Sequence, residues 1–147
     1  MGTWDIGPFD NDSAADWCGK LNATPAADRP ALLRAALTEA VTSVDYLDED
    51  QAVPAIVAAA IVAAHHGGPP ITSAYAPAFL RNGEPLPIDA DLPSLAVRAL
   101  DRVTADRSEW RALWEEAGHY PQAVAVVDGI RAVLWHHSEC PGGHVPR

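Results

Sequence analysis

Apolar residues recur at helical spacing along most of this chain, and no strand-like alternation outlasts them. Ala14, Trp17, Cys18 and Leu21 share one face of a first helix, which the pattern begins at Asp12 or Ser13 and ends near Leu21, with Asn22 and Pro25 as stops. A second helix follows. Asp28 stands where a cap belongs, Pro30 falls in the first turn, and Leu33, Leu37, Ala40, Val41 and Val44 line its inner side, with Arg34 and Glu39 outside. Asp48-Glu49-Asp50-Gln51 reads as a cap and an acidic first turn, with Gln51 in capping-box position. Pro54 leaves two starts open for this third helix, a kink inside it or a beginning near Val53.

From Ala55 to Ala64 every residue is Ala, Ile or Val. A helix apolar all round must be enclosed by others, so this one is expected at the centre of the fold. His65 and His66 precede the stop Gly67-Gly68-Pro69-Pro70, where imidazoles meet the last exposed carbonyls. The stretch from Pro69 to Pro93 contains six prolines, both ends included; a structureless connection of that length is uncommon, and a short helix is expected around Ser73 to Leu80, with an Asn82-Gly83 turn.

The later part of the chain is periodic again. Asp91 is placed to cap a helix with Pro93 in its first turn and Leu92, Leu95, Ala96, Ala99, Leu100 and Val103 inward. Ser108 opens the next, where Trp110, Leu113, Trp114 and Ala117 form a stripe closed by Gly118. A last helix from about Pro121 to Trp135 turns Val124, Val127, Ile130, Val133 and Leu134 inward. The fold class expected is therefore all-α: a single-domain bundle of about six helices spanning 1–147, with residues 136–147 as a polar and flexible tail. Before the first helix, Trp4 and Phe9 flank a Gly7-Pro8 turn, and an arm this aromatic is expected to be ordered against the bundle.

The chain has 147 residues, a size usual for one domain, and 48% of them are hydrophobic, enough for a continuous core. Ten basic against twenty acidic side chains give a formal charge of −10. Such a balance argues against a nucleic-acid backbone or an anionic membrane as partner and favours a basic protein, although acidity also serves solubility alone. The Ala52 to Ala64 run is too short for a membrane span, which needs roughly 18 residues or more. Asp5, Asp10 and Asp12 interrupt any apolar leader, and the two cysteines lie far apart, so a cytoplasmic protein with reduced thiols is expected.

Met1-Gly2-Thr3-Trp4 followed by Gly7-Pro8-Phe9-Asp10-Asn11-Asp12 resembles the opening signature of DUF4259, a bacterial family common in actinobacteria. The alanine-rich third helix and the segment from Ser108-Glu109-Trp110 to Trp114 fit the same family more loosely. The resemblance implies a bacterial cytoplasmic protein. It brings no assigned activity, cofactor or catalytic residue, so no functional position is carried over.

Candidate chemistry is sparse. His137, Cys140 and His144 are ligand types that zinc prefers, at spacings metal sites use, but a structural zinc wants four ligands; the other reading is a polar tail. Asp5, Asp10, Asp12 and Asp16 would suit a divalent cation, or simply the start of the first helix. Cys18 sits on an apolar face and is expected to be an inert buried thiol. His119-Tyr120 could join an acid–base site or could only end a helix turn. Trp110 and Trp114 suit a binding hot spot, but their spacing with Leu113 points to the core. There is no phosphate loop, no Gly-x-Ser-x-Gly elbow and no His-Glu-x-x-His helix. The leading expectation is an acidic protein-binding module, inhibitor-like or immunity-like, with no cofactor; the alternative is an enzyme or metal-dependent protein built on the tail or the aspartates.

Overall fold

The computed structural model describes residues 12–66, Leu86 and residues 88–139. It is all-α among these residues, as the periodicity implies, with helices α1 (Asp12–Ala23), α2 (Arg29–Thr42), α3 (Glu49–His65), α4 (Leu92–Val103), α5 (Glu109–Ala117) and α6 (Tyr120–Glu139). A 3-10 turn, Ala26–Asp28, joins the first two. The Trp4 and Phe9 arm, the helix expected around Ser73 to Leu80 and the Asn82-Gly83 turn lie outside the described residues.

α3 is the hub. Every residue from Ala55 to Ala63 is buried, and α1, α2, α4, α5 and α6 all pack on it. Alanine at positions 58, 59 and 60 explains the arrangement, because small side chains let neighbouring helices come close on every side. Pro54 lies inside α3, whose start is Glu49, so the reading that begins the helix near Val53 does not hold. One apolar cluster joins α1 through Trp17 and Leu21, α2 through Leu33 and Leu37, α4 through Leu92 and Leu100, and α6 through Val127 and Leu134. Trp110 and Trp114 of α5 are buried in the same cluster, which makes them core rather than anchors.

Several details depart from expectation. α2 stops at Thr42, which leaves Val44 in the following loop and 86% exposed rather than inward. Ala117 is exposed at the end of α5, and Val97 is buried although it was not assigned to the inner face of α4. α6 continues to Glu139, so residues 136–139 belong to a helix and not to a tail. Neither Asp28 nor Asp91 caps through its side chain: both have helical rather than extended backbone angles, and the Asp91 carboxylate is taken by Arg34. The cap of Ser108 does form, accepting from Arg111 N at 3.4 Å, and Gly118 closes α5 in the left-handed conformation at φ 82.

One cation finishes a helix the sequence left uncapped. Arg29 is buried, and its guanidinium donates to the carbonyls of Leu21 at 3.3 Å and Asn22 at 3.1 Å, at the C-terminus of α1.

Candidate functional site

Outside the helices, two loops meet and bond to each other, residues 43–48 before α3 and 104–108 before α5. Leu47 N donates to Arg107 O and Glu109 N donates to Leu47 O, each at 2.8 Å, so Leu47 and Ser108 form an isolated parallel bridge. Arg102, from the last turn of α4, reaches into the same junction. Its Nε donates to Ser43 O at 3.3 Å, its Nη1 to Asp106 O at 3.3 Å, and its Nη2 to Asp45 O and Arg107 O at 2.5 and 3.2 Å. A planar guanidinium with a fork of donors suits such a carbonyl cluster, and it holds Arg107 at φ 63, a conformation uncommon for a side chain with a Cβ.

This junction sets the first turns of α3 and α5 side by side. The Gln51 side chain accepts from Asp48 N at 3.2 Å, its half of the expected capping box. Glu109 then supplies what no local residue does: its Oε1 accepts from Glu49 N at 2.7 Å, satisfying a first-turn N–H of α3 from another helix. The arrangement sets two carboxyl groups close together. Burial, helped by the neighbouring carboxylates of Glu109 and Asp50, holds the half-buried Glu49 carboxyl above its ordinary value.

Charge is balanced unevenly over the molecule. Arg34 grips Asp91 through two oxygens, at 2.7 and 2.9 Å, and reaches Asp89 at 3.0 Å. Arg131 stands beside Asp101 and Asp128, and Arg111 beside Asp106 and Glu115. At the laced loops, by contrast, Glu39, Asp45, Asp48, Glu49, Asp50 and Glu109 form no ion pair with any described residue. Gln51 Nε2 donates to Glu39 at 3.3 Å, and the nearby Arg102 is committed to carbonyls. Between these acids the loop exposes two apolar side chains, Val44 and Tyr46, the latter 50% exposed.

The residues singled out from the sequence do not converge on a second site. Cys140, His144, Asp5 and Asp10 lie outside the described residues, as do the side chains of His137 and Asp12; the backbone of His137 is in α6. Asp16 and His119 are exposed. Cys18 is a buried thiol, which desolvation pushes up to about 12, so it is protonated and a poor nucleophile at neutral pH. Tyr120 packs edge-on to Trp110 at 6.1 Å and carries the Arg111 guanidinium over its ring at 5.3 Å, a structural role. Among the described residues no group of three or more His, Cys, Asp or Glu is gathered to hold a metal, and no helix is long and apolar enough to cross a membrane.

The junction itself was not assigned from the sequence. Asp48 to Asp50 read as a helix start alone, and nothing in linear order pairs position 49 with 109. A signal was present in the density of acids from Asp45 to Asp50 around an aromatic residue, Tyr46.

The described residues form a small all-α bundle that exposes Val44 and Tyr46 on the loop before α3. The chain belongs to the DUF4259 family, a domain of unknown function, whose model matches residues 2–125. No curated protein and no solved structure matches it.

Proposed function

We propose that this protein is a bacterial cytoplasmic binding module, inhibitor-like or immunity-like, that meets a basic protein partner. The observation that carries the reading is the formal charge of −10 on a chain of 147 residues. Support comes from Asp45, Asp48, Glu49, Asp50 and Glu109 around the laced loops, which form no ion pair with a described residue and so contribute an acidic field at the surface. A nucleic acid or an anionic membrane would be repelled by the same field. Attraction of this kind is screened over about 8 Å at physiological salt, so association slows as salt rises. Pull-down from the native host at low and high salt tests the reading. A basic protein enriched at low salt and released at high salt supports it; no enriched protein, or an acidic partner insensitive to salt, overturns it.

A further inference from the structure

The molecule's ion pairs leave one question about its acidic residues. At the start of α4 and along α5 and α6, aspartates and glutamates stand next to arginines of the same chain. Beside the junction of loops 43–48 and 104–108, where Asp106 does pair with Arg111, Glu49, Asp50 and Glu109 instead stand next to one another. Val44 and Tyr46 add apolar surface there, 86% and 50% exposed, on a loop whose backbone is tied down by Arg102 and the Leu47 bridge. An exposed valine and tyrosine on an anchored loop present contact area with little ordering to lose on binding.

We propose that this end of the bundle is the docking surface for a basic segment of a protein partner, with Tyr46 and Val44 as its apolar contact and Glu49, Asp50 and Glu109 receiving arginine or lysine. The assignment rests on the binding-module reading and names its surface. Charge complementarity selects the occupant. Glu49 and Glu109 are adjacent carboxylates with no ion pair to a described residue, so an incoming guanidinium relieves their repulsion as well as forming new hydrogen bonds. An anionic or purely apolar segment would bury these carboxylates without a partner. Arginine serves best, because its planar fork can bridge two carboxylates and its face can stack on Tyr46.

The test titrates the full chain with a short synthetic peptide alternating arginine and leucine, and with a glutamate–leucine counterpart, at low salt, and follows backbone amides by NMR. The expected result is shifts concentrated in residues 43–51 and 106–111 with the basic peptide and none with the acidic one. A Glu49→Gln/Asp50→Asn/Glu109→Gln variant removes three like charges and stays folded by circular dichroism; it is expected to bind the basic peptide about tenfold more weakly. Tyr46→Ser separates the apolar contact and is expected to weaken binding with the acids intact. If the basic peptide shifts residues elsewhere, such as α6, the surface assignment fails while the binding-module reading stands. No binding of the basic peptide at low salt overturns both. Calcium alone producing the same shifts, with the peptide unable to compete, makes the end a cation site and overturns the docking proposal.

Discussion

The starts of α3 and α4 carry the same kind of residue and receive opposite treatment. Asp89 and Asp91 precede α4 and are held by Arg34 from α2. Asp48, Glu49 and Asp50 open α3 and meet Glu109, another acid. Both starts gain from the positive end of a helix dipole, which stabilises carboxylates by roughly 0.3 to 1 kcal/mol. Among the described residues, only the start of α4 also has an ion pair. A start with its own counter-ion has its charge balanced within the fold; the other, beside loops braced by Arg102, keeps its acids next to one another.

The largest expected effect tests the body of α3 on which both starts depend. Ala59 is fully buried. Ala59→Leu should destabilise by about 1–3 kcal/mol through overpacking, read as a lower thermal midpoint with ligand-free protein. No loss would mean that the helices around α3 stand further apart than described. Next comes Arg102→Met, which keeps much of the side-chain length and removes the donors to the two loops. Since Asp45 and Asp106 are exposed residues that water can reach, the loss should be about 1–2 kcal/mol, with earlier amide exchange at Leu47 and Glu109. Unchanged exchange at those two amides would show that the bridge does not need the guanidinium.

Smaller and opposite effects sharpen the contrast between the starts. Glu49 has a raised folded-state value, so its ionised form opposes folding. That penalty is absent below the unfolded value and complete above the folded one. Glu49→Gln should therefore stabilise at pH 7 by about 0.5 kcal/mol, with the gain disappearing in acid. Asp91 behaves the other way. The Arg34 hydrogen bonds hold its carboxyl below the usual range, so its contribution is present above the unfolded value and lost as pH falls through the folded one. Arg34→Ala should cost about 0.5 kcal/mol at pH 7, discounted because the pair is solvent-exposed, and less in acid. Denaturant midpoints measured at both pH values check the two variants together; equal signs at pH 7 would end the contrast.

The helices were legible because each has an apolar stripe or, in α3, no polar side from Ala55 to Ala64. Their ends were less so. Val44 fits the stripe of α2 by spacing alone, but the chain turns at Ser43, and its carbonyl is taken by Arg102. α6 runs past Trp135 although its apolar stripe ends at Leu134, because helix continuation needs only backbone hydrogen bonds and tolerable propensity. The junction of the two loops was illegible for another reason. It is assembled by contacts between residues about sixty positions apart, Arg102 with Ser43 and Glu49 with Glu109, which no local pattern records. Asp91 shows the same limit: its position marked the helix start, while its function there is set by Arg34.

The uneven balance of charge is tested most directly by titrating the side-chain carboxyls of the intact protein by carbon-detected NMR. Glu49 is expected to titrate above the ordinary glutamate range and Asp91 below the ordinary aspartate range, with the Glu49 midpoint falling toward normal in Glu109→Gln. A Glu49 midpoint at or below the ordinary value would show that the start of α3 is already compensated, and would contradict the distinction between the two helix starts.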